Sequence, residues 1–418
     1  MKQKFTFRKL INDLHLWVGL SSALVLTIMC FSGTMYVFQR EITQFLNKDK
    51  FYVQPNQQAT FLPINQLKDR VEQQTGGNVT SIQIAQHADE AWTFTVTAKE
   101  EKADTPKRKT KKEGTEKEKA KSLLVNPYTG TVQGDAKTPT SLFFASVLKL
   151  HRWLLIENKD IGGAITGAAC LMMLFLQLSG FVLWLPAKLK SWKKWSVWET
   201  GFKIKWNASR KRLNFDLHKT LGFYAFLFIT ICALTGPYFA LSWYKTGALS
   251  LLGQKAIRKD NPYESVVGTK VISLDEVVTR INSIYPYEGH IRITMPKGKT
   301  GSFSIQKYAE GFLTCSGIDR AELDQYSGAV LNLEKYSEQP LAKNLIYSAK
   351  AIHTGEIFGT FTKILYFLAC LIATTLPTTG FYIWWNKRSK KDQKNVPGKS
   401  GSRRAPQRAA PVNLAARS

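Results

Sequence analysis

The sequence is poor in cysteine and lacks the cysteine motifs of covalent and metal chemistry. Its five cysteines are too widely spaced for a disulfide framework or a Cys-x-x-Cys pair. Cys-x-x-Cys-His is also absent, which excludes covalently attached c-type haem. The chain has no Gly-x-Gly-x-x-Gly ahead of a helix and no P-loop, so the common nucleotide-binding motifs are excluded.

Charged residues are missing from four long stretches. Each stretch has 23 to 27 residues without Asp, Glu, Lys or Arg. About 20 helical residues cross the hydrocarbon layer of a bilayer, so all four are predicted to be transmembrane helices. A cleaved signal peptide would explain only the first stretch, and its apolar core is too long for that class. The stretches are Leu16–Gln39, Ile161–Ala187, Thr220–Tyr244 and Ile364–Asn386.

Acidic residues are scarce as well, since 58 Lys and Arg outnumber 31 Asp and Glu and give a net charge of +27. Residues 1–13 hold four basic residues, residues 188–212 hold nine, and the tail after Asn386 holds ten. The long segments 41–160 and 245–352 are close to balanced. By the positive-inside rule, both termini and the middle loop are predicted to be cytoplasmic and the two long segments external. The charge therefore requires no nucleic-acid partner.

The chain repeats one unit of helix, external segment and helix. Two histidines precede the odd-numbered spans at equivalent positions, and several glycines recur at fixed distances from them. The aligned elements are Asp13-Leu14-His15 with Asp216-Leu217-His218, Gly19 with Gly222, Gly33 with Gly236, and Gly180–Trp184 with Gly380–Trp384.

Each external segment is predicted to be a small α+β module. Helix-like patterns over Leu62–Gln74 and Ile272–Tyr285 are followed by alternating strand patterns and a Tyr-x-Gly turn. Residues 99–121, dense in Lys and Glu, are predicted to be a disordered insertion. The predicted organisation is 1–40 with the first span, 41–150 external, 151–187 with the second span, 188–214 a basic loop, 215–244 the third span, 245–350 external, 351–387 with the fourth span, and 388–418 a disordered tail.

Four of the six histidines precede the four spans, one each. The predicted topology places His15 and His218 at the cytoplasmic face, and His151 and His353 at the outer face. Two facing imidazoles at one depth of a helical bundle are the axial ligands of a bis-histidine haem, so the pattern favours two noncovalent b-type haems. Gly19 and Gly222, one turn after each inner histidine, would leave room for the macrocycle.

Simpler interpretations exist for the same residues. A lone histidine at a membrane surface is commonly a hydrogen-bonded anchor, and helix glycines commonly serve close packing. His87 and His290, in the external segments, are expected at the surface. Tryptophans near the ends of the spans are expected in the interfacial aromatic belt, namely Trp17, Trp184, Trp384 and Trp385.

The repeat, the Leu-His-x-x-x-Gly helix starts, the Ser/Thr-Gly-Phe-x-x-Trp helix ends and the Pro127-Tyr128-Thr129-Gly130 turn resemble the PepSY-associated transmembrane proteins. Within that family the chain resembles inner-membrane dihaem ferric-siderophore reductases and related iron-uptake proteins. The resemblance implies a four-helix bundle with two periplasmic PepSY-like domains in a bacterial inner membrane. It assigns His15 and His218 to a cytoplasmic-side haem iron, and His151 and His353 to a periplasmic-side haem iron.

The expected function is electron transfer across the bilayer to a ferric siderophore or other ferric chelate, with release of Fe(II). The middle loop is too short for a flavin domain, so the electron donor would be a reduced flavin, a flavoprotein or a quinol. Two alternatives stay open, namely a non-redox siderophore or iron-uptake transporter and a peptide-binding membrane module.

Overall fold

A computed structural model describes residues 6–54, 60–98, 120–254 and 263–394 of the chain. Nearly all of the predicted insertion 99–121, and the tail beyond Lys394, lie outside these residues. The helices are α1 (Phe7–Tyr36), α2 (Gln39–Leu46), α3 (Lys48–Phe51), α4 (Ile64–Thr75), α5 (Pro139–Trp153), α6 (Lys159–Trp184), α7 (Trp195–Phe202), α8 (Arg210–Ala240), α9 (Ser242–Leu251), α10 (Leu274–Ile284), α11 (Leu341–Tyr347), α12 (Ala349–Thr354) and α13 (Gly359–Lys394). The strands are β1 (Gly77–Ile84), β2 (Trp92–Ala98), β3 (Lys121–Val125), β4 (Val132–Asp135), β5 (His290–Thr294), β6 (Ser302–Tyr308), β7 (Asp319–Asp324) and β8 (Val330–Glu334).

Four of the described helices are long and apolar enough to cross a membrane: α1, α6, α8 and the stretch Glu356–Arg388, which holds most of α13. Helices α1 and α8 each pack against both α6 and α13. Small residues such as Ala225 and Ala373 are buried at their core, where they let helix backbones approach closely. Leu24 and Phe31 are more than half exposed on α1, as expected for side chains that face lipid.

Two helix ends differ from the prediction. Helix α8 stops at Ala240, where an extended Leu241 turns the chain into α9, although the apolar pattern runs on to Tyr244. Pro237 lies in the last turn of α8 and has no N–H to continue the hydrogen-bond ladder. At the other end of the chain, α13 continues to Lys394, so the prediction of disorder from residue 388 is wrong for its first residues. Lysine is a good helix former and its charge suits a helix C-terminus.

The eight strands of the described residues form one antiparallel sheet in the order β4-β3-β2-β1-β5-β6-β7-β8. The strands and both Tyr-x-Gly turns predicted from the sequence are present within it. Strands β1 and β5 join the two repeats, with Ile82 opposite Ile293. The modules expected as separate units therefore share a continuous sheet about a central strand pair.

Helices α4 and α10 cover one face of this sheet. Ile82, Ile293, Phe94 and Phe303 are at most 2 % exposed beneath them, and burying such a side chain contributes about 1.5–3 kcal/mol. The two helices also cap each other reciprocally. The N–H of Ile64 donates to the Asp275 carboxylate at 2.9 Å, and the N–H of Leu274 donates to the Asn65 amide oxygen at 3.2 Å. These two bonds repeat the chain's internal symmetry across the module boundary.

The other face of the sheet turns toward the long helices. Side chains alternate between the faces of a strand, so Gln83 and Thr93 point away from the α4 and α10 layer. They line a cavity together with Arg40 of α2 and Ser141 of α5. We call the end of the long helices nearest the sheet the sheet side. The opposite end, where residues 185–209 connect α6 to α8, is the loop side.

Candidate functional site

His15 and His218 lie together on the loop side. His15 sits near the start of α1 and His218 near the start of α8, and both are half-buried. Their ring centroids are 6.4 Å apart and the ring planes are nearly perpendicular, at 88°. Two residues more than two hundred positions apart in the sequence thus face each other at one level of the helices.

His151 and His353 lie together on the sheet side. Their ring centroids are 6.2 Å apart with an angle of 57° between the planes. Each belongs to a short helix that precedes a long one, His151 to α5 and His353 to α12. The break between α5 and α6 covers residues 154–158, and Leu154 and Leu155 adopt positive φ angles there. Asn158 caps α6, accepting from the N–H groups of its first turn.

A hydroxyl residue holds the Nδ1 atom of each histidine. In every case the hydroxyl residue immediately precedes a repeated glycine, and it belongs to the long helix that packs against the histidine's own segment. The contacts are His15 Nδ1 to Ser179 Oγ at 2.8 Å, His218 Nδ1 to Thr379 Oγ1 at 2.9 Å, His353 Nδ1 to Thr235 Oγ1 at 2.7 Å, and His151 Nδ1 to Ser32 Oγ at 3.4 Å, with His151 Nδ1 also 2.9 Å from the Met29 carbonyl.

These contacts determine the tautomer of each imidazole. A hydroxyl has one proton to donate, and Ser179 donates it to the Phe175 carbonyl at 2.7 Å on its own helix. Its oxygen must therefore accept a proton from His15 Nδ1. Ser32, Thr235 and Thr379 donate in the same way to carbonyls of their own helices. With the proton on Nδ1, the lone pair of every ring is on Nε2, the atom that a metal ion would take.

The glycine after each hydroxyl residue makes room for the imidazole. A Cβ atom at Gly180 would approach His15 Cε1 to 3.3 Å, closer than most side-chain contacts allow. Two equivalent positions behave alike, at 3.3 Å for Gly380 against His218 and 3.1 Å for Gly33 against His151. At Gly236 a Cβ atom would meet Cys170 Sγ first, at 2.7 Å, and would lie 3.7 Å from His353 Cε1, an ordinary contact distance. Gly33 thus packs directly on the imidazole of His151, and its repeat partner Gly236 lies beside that of His353.

A cavity of about 510 Å³ opens between His15 and His218. Gly19 and Gly222 line it, each one turn after a histidine, as their spacing predicts. Its volume falls in the usual range for small-molecule and cofactor sites, about 300–1,000 Å³. Most of its wall is apolar, with Leu176 beside Gly19 and Leu376 beside Gly222.

The geometry of both pairs fits an iron atom held between two imidazoles. An imidazole nitrogen bonds a first-row metal ion at about 2.0 Å and lies about 1.1 Å from its ring centre, so rings on opposite sides of one ion have centroids about 6.2 Å apart. The observed separations are 6.4 Å and 6.2 Å. At the loop-side pair the cavity lined by Gly19 and Gly222 adds room beside the imidazoles, so the residues there fit a bis-histidine haem.

Trp184 belongs to this site, although the sequence placed it in the interfacial belt. It is only 8 % exposed and lines the cavity beside Gly180. Its ring stacks on Phe223 at 3.9 Å, and its Nε1 donates to the Gly201 carbonyl at 3.1 Å. The belt prediction is therefore wrong for Trp184, because the segment around α7 folds over it. Trp17 and Trp385 remain more than half exposed.

The two other histidines have different environments. His87 is exposed, as predicted. His290 is 2 % exposed, so its predicted surface position is wrong, because strand β5 lies in the middle of the joined sheet. Its Nε2 lies 3.2 Å from the Glu310 carboxylate, which also pairs with Arg40. Burial alone would raise the pKa of Glu310, but His290 and Arg40 outweigh it and lower that pKa to about 2.

One family of known proteins matches nearly the whole chain. A family described as the PepSY-associated TM region matches residues 13–387, which include both histidine pairs and most or all of each of the four long helices. No curated protein matches the chain.

Proposed function

The chain belongs to the PepSY-associated transmembrane proteins and is a multi-pass membrane protein, and from that premise we propose that it transfers electrons across the membrane. In this proposal two noncovalent haem b groups are held in a four-helix bundle, one by His15 and His218 and one by His151 and His353. The electrons reduce a ferric chelate, such as a ferric siderophore, and release Fe(II).

One observation carries the proposal. The four paired histidines all present Nε2 lone pairs, in two facing pairs, at separations that fit a single iron atom. Interfacial anchors would not need a fixed tautomer, nor a glycine beside each ring. The repetition of the same hydroxyl contact at four positions supports a role as a ligand set.

In this proposal the residues of the chain position the haem groups and exclude water from them. The hydroxyl contacts orient each ring and strengthen it as a donor. Two imidazoles per iron leave no open coordination position, which disfavours O₂ binding and suits electron transfer. When bound, each haem supplies a one-electron Fe(III)/Fe(II) couple.

The two pairs lie near opposite ends of the long helices. His15 and Met29, whose carbonyl binds His151, are both on α1, and their separation in sequence corresponds to about 21 Å of helix. A hydrocarbon layer is about 30 Å thick, so the pairs suit transfer from one surface toward the other.

The basic residues orient this path. The proposal places the loop side and both termini in the cytoplasm of a bacterium and the sheet in the periplasm, in the inner membrane. A separate donor, either a reduced flavin, a flavoprotein or a quinol, would supply electrons at His15 and His218. The ferric chelate would receive one electron per iron on the sheet side.

The first test is the colour of the purified protein after expression with sufficient haem. A Soret band with about two haems per chain is expected, together with the spectrum of six-coordinate low-spin iron. The reduced protein is then mixed anaerobically with ferric chelates while a coloured ligand traps Fe(II). Colourless protein would contradict the haem assignment, and coloured protein without Fe(II) formation would contradict the substrate.

A further inference from the structure

The cavity between His15 and His218 is charged at one end only. The described residues that line it include Arg8, Lys9, Lys219 and Lys387, and none of them is an Asp or Glu. Arg8 and Lys9 lie near the loop-side start of α1, and Lys387 lies near the loop-side end of the span in α13. Lys219 is on α8, at the level of His218. Deeper in the cavity the wall is apolar, formed by residues such as Leu20 and Phe226.

Arg8 already has a structural task. Its guanidinium donates to the carbonyls of Val182, Leu183 and Leu185, which end α6 and have no helical partners. It therefore stabilises the C-terminal end of α6, where a cation is favourable.

Lys219 and Lys387 come from two other helices, α8 and α13, and border the same opening. Lys219 directly follows His218. The nearby buried carboxylate of Asp216 forms an ion pair with Arg212, whose Nε lies 2.9 Å from it. The negative charge of Asp216 therefore does not neutralise the positive charges of the lysines that line the cavity.

This distribution selects a ligand with an apolar body and an anionic end. A quinol carries no anionic group, and a lipid headgroup would not need the histidine pair. We propose that Lys219 and Lys387 bind the carboxylates of an iron porphyrin whose iron lies between His15 and His218. The inference rests on the proposed function and specifies the orientation of the porphyrin in the cavity, with its carboxylates toward the loop side.

Charge-assisted bonds to the two carboxylates would be strong because the site is partly buried. The consequence is selectivity. The protein should prefer haem, with free carboxylates, over the haem dimethyl ester, which has the same ring and iron but no negative charge at that end.

The experiment measures binding of both compounds to the detergent-solubilised full chain by Soret titration. It is done in the wild-type chain and in a His151→Ala, His353→Ala background, where the loop-side pair remains. Lys219→Gln and Lys387→Gln are each expected to weaken haem binding about tenfold and to leave the ester affinity unchanged. Lys194→Gln, which removes an exposed lysine outside the cavity lining, is the matched control.

Three results would overturn the inference. Equal affinity of the wild type for haem and its ester would show that the carboxylates are not recognised. An equal loss of both compounds in the lysine variants would show that the lysines support the shape of the cavity instead. Failure of both compounds to bind would overturn the proposed function and this inference with it, whereas the first two results leave the proposed function intact.

Discussion

His15 donates its Nδ1 proton to Ser179 Oγ across 2.8 Å, and Ser179 passes its own proton to the Phe175 carbonyl at 2.7 Å. This two-bond chain ties the imidazole of α1 to the backbone of α6. The second repeat has the same arrangement between His218 and Thr379. Four predictions test the consequences of this and related contacts.

Loss of a histidine should remove the haem of its own pair. His15→Ala and His218→Ala are each expected to leave one haem per chain with the spectrum of the sheet-side site. His151→Ala and His353→Ala should leave the other, because one remaining imidazole binds iron far more weakly than two. Haem content and electron paramagnetic resonance measure both. His87→Ala, at an exposed position, should keep two haems, and loss of haem in a crossed pattern would refute the pairing.

Loss of the hydroxyl at Ser179 should change the loop-side haem without necessarily removing it. In Ser179→Ala the Nδ1–H of His15 loses its acceptor, a change that costs about 1–3 kcal/mol at a buried site and weakens metal affinity about 10- to 100-fold. The imidazole becomes a poorer donor, so ferric iron is stabilised less and the reduction potential should rise. Spectroelectrochemical titration measures that potential.

Ser179→Thr keeps the hydroxyl and should restore the wild-type potential. Ser21→Ala, which removes an exposed hydroxyl bonded to the carbonyl of Val18 on the same membrane helix as His15, should leave the potential unchanged. A potential that stays constant in Ser179→Ala would show that the hydroxyl does not act on the ligand.

A methyl group at Gly180 or Gly380 should displace the loop-side imidazoles. The added Cβ would lie 3.3 Å from His15 Cε1 or His218 Cε1, and such overpacking typically costs about 1–3 kcal/mol. Haem affinity at that pair should fall about tenfold, as measured by Soret titration. Gly247→Ala is the control, because a Cβ there meets nothing within 4 Å. Equal affinities in all variants would mean that the rings tolerate the contact.

Acid should loosen the external sheet through Glu310. The pKa of Glu310 is lowered from 4.5 to about 2. The ionised carboxylate therefore stabilises the folded chain at pH values above the ordinary glutamate pKa of 4.5. That contribution is lost as the pH falls from about 4.5 toward 2. Glu310→Gln should show a smaller drop in unfolding temperature between about pH 5.5 and pH 3 than the wild type. Far-ultraviolet circular dichroism measures this, and Glu338→Gln, at an exposed ion pair, should behave like the wild type.

The sequence alone predicted the elements whose signal is local. Four charge-free stretches predicted the four long helices because lipid excludes charge over a fixed length. Alternating patterns predicted the strands, since side chains of a strand point alternately to two faces. The internal repeat also singled out His15 with His218 and His151 with His353, because equivalent positions of two copies occupy equivalent depths.

The sequence did not reveal which surfaces meet, since contact depends on packing between distant elements. Nothing in strands β1 or β5 by themselves indicates that Ile82 pairs with Ile293 and joins the two modules. That junction buried His290, whose sequence neighbours predicted an exposed position. In the same way, Trp184 has an ordinary belt position until the segment around α7 covers it.

The four hydroxyl residues beside the histidines show what the sequence reveals by itself and what requires the tertiary structure. Ser32, Ser179, Thr235 and Thr379 are visible in the sequence as the residues before four glycines in four spans. A serine in a membrane helix commonly bonds its own backbone, so their sequence alone indicates no partner. Only the tertiary structure places each beside an imidazole of another helix, and the direction of its hydroxyl proton then determines which ring nitrogen keeps its lone pair.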